Sequence, residues 1–341
     1  MIFKGGLFLL SLPYAIISTA RTLLYDYGVF SIKRLPVPVI SVGNITSGGT
    51  GKTPMIICIG EILKEAKITF AVLSRGYGRK SMQPFAIKNG EDFTALQIGD
   101  EPKMISEKLN CPLGIAADRY RIGSLLLKKF GSSVILLDDG FSHRRLHRDL
   151  NILLIDAENP FGNGFLPKGR LREPLIALKR ANVVVITGVP TEERIVRITE
   201  KLKEKGFSGR IFTARRKVES VISPSGEKVP SEELNGKPYF LFSGIEGHAK
   251  FEASAKSLGI DVKGSVSYPD HYPFDKQEIE QMKKEAKGIP LLTTEKDLAR
   301  IGDSMNCLNT LRITIDVENK EQFKEIILKK INCMHLKEKK Q

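Results

Sequence analysis

Runs of β-branched and aliphatic residues alternate with stretches of helical periodicity along most of the chain. Residues 37–43 have the pattern of a short buried strand, and the apolar positions of residues 53–66 recur at helical spacing. Further strand patterns, separated by helical or loop segments, lie at residues 68–74, 132–139, 151–156 and 182–188. Strands that alternate with helices favour a mostly parallel sheet with helices on both faces. The pattern therefore predicts an α/β fold.

The same alternation starts again after about residue 208, on a smaller scale. We predict two α/β domains, and we expect the extended stretches near residues 210–222 and 311–317 to pair as the connection between them. The predicted parts are residues 1–36 (an N-terminal apolar helix and its lead-in), 37–209 (the larger core), 210–222 with 311–317 (connecting strands), 223–310 (the smaller α/β domain) and 318–341 (a basic C-terminal helix and tail).

The N-terminal segment contains sixteen consecutive uncharged residues, 5–20. This run is shorter than the roughly 20 residues that cross a bilayer, and Pro13 lies within it. A signal peptide and a buried core helix are the alternatives. We favour a helix that lies in the membrane interface, because Arg21, Lys33 and Arg34 would then lie near anionic headgroups.

The formal net charge of +14 indicates an anionic partner. Nucleic acid, an acidic membrane surface and a phosphorylated substrate would each satisfy this charge. The sequence contains no basic motif interleaved with aromatic residues, so we do not expect nucleic acid.

The four cysteines, Cys58, Cys111, Cys307 and Cys333, are far apart and form no C-x-x-C pair. This spacing predicts reduced thiols of a cytosolic protein, without a disulfide framework or a zinc site.

Residues 41–54, SVGNITSGGTGKTP, approximate a phosphate-binding loop between a predicted strand and a predicted helix. The glycines free the backbone N–H groups to point at phosphate oxygens, Lys52 can reach the β- and γ-phosphates, and the Thr53 hydroxyl can bind Mg²⁺. Thr46 occupies the usual first glycine position, which is tolerable where φ is negative. The predicted nucleotide-binding residues are Thr46, Ser47, Gly48, Gly49, Thr50, Gly51, Lys52 and Thr53.

Asp138 and Asp139 follow the apolar strand pattern at residues 132–139. Paired acids at such a position hold Mg²⁺ in P-loop proteins, directly or through water. Taken alone, the pair also fits an ordinary turn, but the upstream loop favours the metal site.

The loop alone does not identify the phosphate acceptor. Ser47 precedes the two glycines, so the signature lysine of membrane-associated partitioning ATPases is absent. The segment TEKD at residues 294–297 only loosely matches the guanine-reading motif of GTPases, because Glu295 replaces its asparagine. GTPase, ATPase and kinase activities all remain compatible with the loop itself.

A wider set of motifs occurs in a fixed order along the chain. They are SVGNITSGGTGKTP, SRGYGR (74–79), GDEP (99–102), ADRYR (117–121), DDGFSHRRLHRD (138–149), FLPKGRLREP (165–174), YPDHYPF (268–274) and TTEKD (293–297). Together they resemble tetraacyldisaccharide 4'-kinase, the lipid A 4'-kinase of Gram-negative bacteria, from the N-terminal helix to about residue 300. The family's loop also has Thr or Ser at the position of Thr46.

The resemblance implies a P-loop NTPase-type core and an ATP- and Mg²⁺-dependent kinase at the cytoplasmic face of the bacterial inner membrane. Its substrate would be a tetraacyldisaccharide 1-phosphate, whose 4'-hydroxyl is phosphorylated to give lipid IVA. The expected partners are this lipid A disaccharide and an anionic membrane surface, with no obligate protein partner. The alternative is a membrane-associated P-loop ATPase switch without lipid-kinase activity.

Phosphoryl transfer to a sugar hydroxyl needs a carboxylate that accepts the proton. By resemblance this base is Asp100, with Glu101 assisting at the metal, and we expect both in a turn. His271 is the family's partner for that aspartate, contributed by the second domain. If these distant residues meet, domain closure would assemble the active site.

The basic cluster at residues 143–148 directly follows the acidic pair, which suggests contact with nucleotide or substrate phosphate. A solvated face or surface ion pairs are the alternative for such residues. The candidate substrate or phosphate contacts are Arg75, Tyr77, Arg119, His143 and Arg172.

One position departs from the family pattern. The family has glutamine where this chain has Ser142. If that glutamine contacts metal or nucleotide, Ser142 must do so through water, or the contact is lost.

Overall fold

The computed structural model describes residues 2–81, 83–88, 91, 93–188, 190–302 and 308–338. The strands are Val39–Gly43 (β1), Phe70–Ser74 (β2), Phe85–Ile87 (β3), Leu113–Ile115 (β4), Val134–Asp138 (β5), Leu150–Asp156 (β6), Val183–Thr187 (β7), Arg210–Ile222 (β8), Lys228–Val229 (β9), Pro238–Ser243 (β10), Asp261–Ser267 (β11), Leu291–Thr294 (β12) and Asn309–Val317 (β13). The α-helices are Ile2–Asp26 (α1), Lys52–Glu65 (α2), Ala95–Ile98 (α3), Asp100–Leu109 (α4), Arg119–Phe130 (α5), Glu192–Glu204 (α6), Ser231–Leu234 (α7), His248–Ser257 (α8), Lys276–Glu285 (α9), Glu295–Ile301 (α10) and Lys320–Glu338 (α11), with a 3₁₀ helix at Leu175–Arg180.

The strands form one continuous sheet in the order β11-β10-β12-β13-β8-β7-β6-β1-β5-β2-β4-β3, with β9 paired to β8. From β4 to β8 and from β13 to β11 the neighbours are parallel. The predicted mostly parallel α/β sheet is therefore confirmed. Its interior strands are buried on both faces, as their unbroken apolar runs require.

Strand β8 connects the two halves of this sheet. Its first residues pair with β7 in parallel, and its later residues pair with β13 antiparallel. The predicted pairing of the two extended stretches is confirmed. The segment between β8 and β10 contains β9 and the short helix α7.

The larger half packs α2 and α4 closely together beneath the sheet. A Cβ atom on Gly60 would lie 2.5 Å from Leu109 Cδ1, so a larger residue there would have to displace the Leu109 side chain. Asp100 and Glu101 form the first turn of α4, directly after Gly99, whose φ is 99°. The expectation of a turn for these two acids was wrong, because acidic residues are favoured at a helix N-terminus.

The smaller half repeats the arrangement of strands and covering helices on a smaller scale. Strand β12 ends at Thr294, whose side chain accepts a hydrogen bond from the Asp297 backbone N–H and caps α10.

Helix α1 presents its polar side chains to the protein and its apolar side chains outward. Ser11 and Thr22 are buried, whereas Leu10, Ile16 and Ile17 are at least 60% exposed. The alternative of a buried core helix is therefore wrong. No helix in the described part of the chain is both long and apolar enough to cross a membrane.

Among the described cysteines, Cys58, Cys111 and Cys333 are free thiols. Cys307 lies outside the described residues.

Candidate active site

The phosphate-loop motif connects β1 to α2, as predicted. Helix α2 begins at Lys52, and the preceding Gly51 has a left-handed φ of 90°. Gly48 also requires glycine, because its φ is 115°. Thr46 is not among the described residues with positive φ, so its side chain causes no strain. The free N–H groups at the start of α2 form a site suited to an anion.

Hydrogen bonds from neighbouring segments hold the loop in shape. Asn44 Nδ2 donates to Thr50 Oγ1 at 3.1 Å, and Thr187 Oγ1 donates to the Thr50 carbonyl at 3.0 Å. The Ser47 N–H donates to the Arg170 carbonyl at 2.7 Å. The loop is thus preorganised by β7 and by the FLPKGRLREP segment.

Two arginines that the sequence analysis missed border the glycines of the loop. A Cβ atom on Gly48 would lie 3.2 Å from an Arg170 guanidinium nitrogen, and that guanidinium pairs with Glu246 at 3.1 Å. Arg216, from β8, donates a hydrogen bond to the Gly49 carbonyl. The available signal for Arg216 was a pair of consecutive arginines in the predicted connecting strand.

The two acids after β5 lie beside the loop, because β5 is the parallel neighbour of β1. Ser74 Oγ donates to Asp138 Oδ2 at 2.9 Å. Lys52 Nζ lies 3.7 Å from Asp139 Oδ1, and Arg172 donates to Asp139 Oδ2 at 3.2 Å. The structure therefore brings Lys52, both acids and Arg172 to one edge of the sheet, as expected for carboxyl strand ends.

Asp138 is the most perturbed of these carboxyl groups. Burial raises its pKa well above the ordinary value, and the nearby charges of Glu101 and Asp139 raise it further. Lys52 and the Ser74 hydroxyl act in the opposite direction. Asp138 Oδ1 is buried and has no hydrogen-bond partner among the described residues. A buried carboxyl oxygen without a partner is costly, so a cation at this position would stabilise the charged form.

The donor set near Asp138 fits Mg²⁺ of the P-loop type. Such an ion takes one hydroxyl, one or two carboxylates, waters and nucleotide phosphates. Thr53 is buried in the first turn of α2. In the part of the chain that the structure describes, no group of three or more His, Cys, Asp or Glu side chains could hold a metal by itself.

Glu101, predicted to assist at the metal, lies within electrostatic reach of Asp138. Its Oε1 atom is 3.8 Å from Lys296 Nζ, which is also 3.8 Å from Asp270 Oδ1. Lys296 therefore links the α4 acid to the loop that carries His271.

Asp100 and His271 come from the two halves of the sheet and meet. His271 Nδ1 lies 3.0 Å from Asp100 Oδ2. The His271 backbone has a left-handed φ of 62°, and its N–H donates to the Gly244 carbonyl at 3.2 Å. The Tyr77 ring centroid is 5.6 Å from that of His271.

Arg300 is a further residue that the sequence analysis missed. Its Nε and one terminal nitrogen donate to Asp100 Oδ2 at 3.0 and 2.6 Å. Only 4% of the Arg300 side chain is exposed. The available signal was weak, since an arginine three residues after TEKD has the pattern of a solvated helix position.

Arg119 is a buried guanidinium with unused donor capacity. One terminal nitrogen donates to the Ala117 carbonyl at 3.2 Å, whereas Nε has no partner among the described residues. Burial lowers the pKa of Arg119 to about 10, and the charge of Arg75 adds to this effect. Asp138 and Asp139 oppose it. Arg119 thus remains cationic at neutral pH and fits an anionic ligand.

In the basic cluster at residues 143–148, Arg144 is buried, Arg145 is exposed and the other basic side chains are partly buried. Arg144 pairs with Asp26 of α1 at 2.7 Å, and Arg148 donates to the His143 carbonyl at 2.9 Å. These two arginines bind protein oxygens here, and their contact with phosphate stays a prediction. Burial, aided by Arg119 and other arginines, lowers the pKa of His143 to about 3, so its ring is neutral.

Ser142, the departure from the family pattern, contacts protein atoms. Its hydroxyl donates to Glu173 Oε1 at 2.6 Å, and Arg180 donates to Glu173 Oε2 at 2.5 Å. Arg21 of α1 donates to the Ser142 carbonyl at 3.0 Å. The position therefore ties the acidic strand end to the LREP segment and to α1.

Comparison with known proteins gives matches over nearly the whole chain. The family model described as tetraacyldisaccharide-1-P 4'-kinase matches residues 4–332. A tetraacyldisaccharide 4'-kinase from Syntrophus aciditrophicus is 37% identical over 340 residues, covering 93% of this chain and 90% of the relative. The enzyme from Aquifex aeolicus is 35% identical over 328 residues, covering 95% of this chain and 98% of the relative.

A solved structure is similar over the same extent. The crystal structure of LpxK from Aquifex aeolicus in complex with ATP has a TM-score of 0.80 and 33% identity, covering 96% of this chain and 99% of that chain. The extent of both matches shows that the chain belongs to the tetraacyldisaccharide-1-P 4'-kinase family.

Proposed function

We propose that this protein transfers the γ-phosphate of ATP to the 4'-hydroxyl of a tetraacyldisaccharide 1-phosphate and so produces lipid IVA. The observation that carries the proposal is the contact between Asp100 and His271 in this chain. The family to which the chain belongs gives this contact its meaning. Glu101, next to Asp100, acts electrostatically on Asp138, so the candidate base lies near the nucleotide loop.

The nucleotide would be held by the loop N–H groups and by Lys52, whose charge would neutralise the phosphates. Arg216 would exchange its hydrogen bond to the Gly49 carbonyl for a phosphate oxygen, because an anionic acceptor is the stronger partner of a guanidinium.

Thr53 and Asp138 would hold Mg²⁺, with Asp139 and Glu101 close enough to bind it directly or through water. When bound, this ion neutralises charge on the phosphates during transfer. Lys52 and Arg172, both near Asp139, orient that carboxylate towards the loop.

The proton of the sugar hydroxyl would pass to Asp100 while the hydroxyl oxygen bonds to the γ-phosphorus and the bond to the β-γ bridging oxygen breaks. ADP is the leaving group. His271 orients the Asp100 carboxylate from the opposite half of the sheet. Tyr77 packs beside His271 and would border the acceptor.

Arg119, Arg75 and His143 would contact phosphate groups of nucleotide or lipid. Arg119 supports this role because its buried Nε has no partner among the described residues. The neutral His143 ring could donate one hydrogen bond without adding charge.

The acylated substrate resides in a membrane, and the exposed apolar face of α1 fits the membrane interface. The net charge of +14 favours an anionic surface. The location would be the cytoplasmic face of the inner membrane, where ATP is available. The proposed domains are residues 37–209 and 223–310, joined by β8 and β13.

The test is an assay with γ-labelled ATP and purified protein, with and without the disaccharide 1-phosphate lipid. Label on the lipid supports the proposal. Release of labelled inorganic phosphate that is independent of the lipid would contradict it and would favour an ATPase switch. A Lys52→Ala variant controls for contaminating kinases, because it should lose both activities.

A further inference from the structure

The TEKD segment at residues 294–297 belongs to a buried polar network centred on Asp297. Asp297 has no exposed side-chain surface. Its Oδ2 accepts a hydrogen bond from Thr294 Oγ1 at 2.7 Å, and its Oδ1 accepts one from the Gly244 N–H at 3.2 Å. A buried carboxylate this well bonded is held in one orientation.

The remaining partner of Asp297 is Arg300, one turn further along α10. One terminal nitrogen of Arg300 donates to Asp297 Oδ1 at 2.9 Å, to the Gly244 carbonyl at 3.2 Å and to the Tyr272 carbonyl at 3.3 Å. Tyr272 directly follows His271. Arg300 is therefore anchored to the same loop that carries the histidine.

The other edge of the Arg300 guanidinium reaches Asp100 in the larger half. Nε and the second terminal nitrogen lie 3.0 and 2.6 Å from Oδ2, the oxygen that also contacts His271 Nδ1 at 3.0 Å. Both Arg300 contacts and the His271 contact thus converge on one oxygen of Asp100. No donor in the described part of the chain is within hydrogen-bond reach of Oδ1.

We propose that Arg300 is a positioning residue that, together with His271, holds Asp100 by Oδ2 so that Oδ1 receives the proton of the acceptor hydroxyl. This role rests on the proposed kinase function. The planar guanidinium binds Asp100 along one edge and the His271 loop along another, which a lysine ammonium cannot reproduce. Arg300 therefore sets the carboxylate orientation and the approach of the two halves at the same time.

The expected consequence is a loss in kcat without a matching loss in nucleotide binding. Misplacement of a catalytic group by about 1 Å can cost about 10²-fold in rate. Arg300→Gln should therefore lower kcat about 10²-fold while the KM for ATP changes little, because Arg300 does not contact the phosphate loop. Arg300→Lys should recover part of kcat, since it retains the charge but not the fork.

The experiment measures kcat, the KM for ATP, the KM for the lipid and the thermal midpoint of the full chain for both variants. Arg312→Gln is the matched control. Arg312 Nε donates to Glu295 Oε1 at 2.9 Å, at the start of the same helix α10, without touching Asp100. This control should leave kcat within about twofold of the wild type, because it removes a partly exposed ion pair.

Arg300→Gln is also combined with Asp100→Asn and assayed at high enzyme concentration. Because Arg300 acts through Asp100, its substitution should cost little in that background. The positioning role would be overturned if Arg300→Gln lowered kcat equally in the wild-type and Asp100→Asn backgrounds. It would also be overturned if the activity of Arg300→Gln fell only in proportion to the amount of folded protein. If Arg300→Gln does not fold, an Arg300→Lys variant with wild-type kcat would overturn it too. If the wild-type protein places no label on the lipid, the kinase proposal itself is overturned. If the wild type is active but the losses of kcat from Arg300→Gln and Asp100→Asn are additive, only the role of Arg300 is overturned.

Discussion

His271 Nδ1 lies 3.0 Å from Asp100 Oδ2, although the two residues are 171 positions apart in the chain. Asp100 begins a helix of the larger half of the sheet, and His271 lies in a loop of the smaller half. The contact therefore exists only when the two halves approach each other. Proton transfer to the Asp100 carboxylate therefore depends on how the two halves of the sheet are placed relative to each other.

Removal of the Asp100 carboxylate should strongly impair transfer but preserve ATP binding. Asp100→Ala is expected to lower kcat by about 10²- to 10⁴-fold, because general-base catalysis contributes that range. Nucleotide affinity, measured by titration calorimetry, should stay near the wild-type value, since Asp100 is not among the predicted phosphate-loop residues. Glu107→Ala, on the same helix and 51% exposed, is the control. Equal losses of binding and transfer in Asp100→Ala would argue against a role as base.

Arg216 should matter for ATP, and its neighbour Arg215 should not. The Arg216 guanidinium bonds the Gly49 carbonyl of the phosphate loop, whereas Arg215 is 65% exposed and lies 3.7 Å from Glu318. Loss of one charge-assisted hydrogen bond costs about 1.5–3 kcal/mol, so Arg216→Ala should raise the KM for ATP about tenfold or more. Arg215→Ala is the matched control on the same strand. A similar KM for both variants would remove Arg216 from the nucleotide site.

The sequence alone predicts most of the sheet because its strands are buried on both faces and therefore have unbroken apolar runs. Strand β1 and the phosphate loop could be located within a residue or two, since strand, glycines and helix follow one another locally. Arg300 could not be found in this way. Its contacts join residues 200 positions apart, and a buried arginine in a helix has the same local pattern as a solvated one.

Similar limits apply to the helix starts and to the basic cluster. Helical periodicity begins at Glu101, one residue after the start of α4 at Asp100, because Gly99 and the two acids also fit a turn. Arg144 was expected near phosphate because it follows the paired acids, yet it binds Asp26 of α1. Charge identity is visible in a sequence, but the partner of each charge depends on tertiary packing.

The partly buried His143 ring should make the protein less stable in acid. Its pKa is lowered to about 3 in the folded protein, mainly by burial, against an ordinary value near 6.5. At a pH between these two pKa values, His143 is protonated in the unfolded chain but not in the folded protein. The free energy of unfolding therefore falls as the pH decreases below about 6.5. Between pH 7.5 and 5.5 this group should remove about 1.4 kcal/mol from the free energy of unfolding.

Urea denaturation of the wild type and of His143→Gln at these two pH values measures the effect. The loss of unfolding free energy from pH 7.5 to 5.5 should be smaller in the variant by that amount. Identical losses in both proteins would show that His143 does not titrate in this way.

The outward apolar face of α1 should carry membrane binding. Ile16 is 60% and Ile17 is 67% exposed, and burial of each side chain in the interface would contribute about 1.5–3 kcal/mol. The double variant Ile16→Asp, Ile17→Asp should therefore lose most of its sedimentation with vesicles of phosphatidylethanolamine and phosphatidylglycerol. Val196→Asp, at a position 54% exposed on α6, is the control and should stay bound.

Deletion of residues 1–21 should also release the protein, but it would disturb the active site. The Tyr14 and Ser18 hydroxyls donate to the Arg172 carbonyl at 3.1 and 2.9 Å, so α1 supports the segment whose arginine pairs with Asp139. The double aspartate variant keeps these contacts. It should therefore phosphorylate detergent-dispersed lipid at near wild-type rate, whereas the deletion should lose rate in detergent as well. Unchanged sedimentation of both proteins with vesicles would contradict an anchoring role for α1.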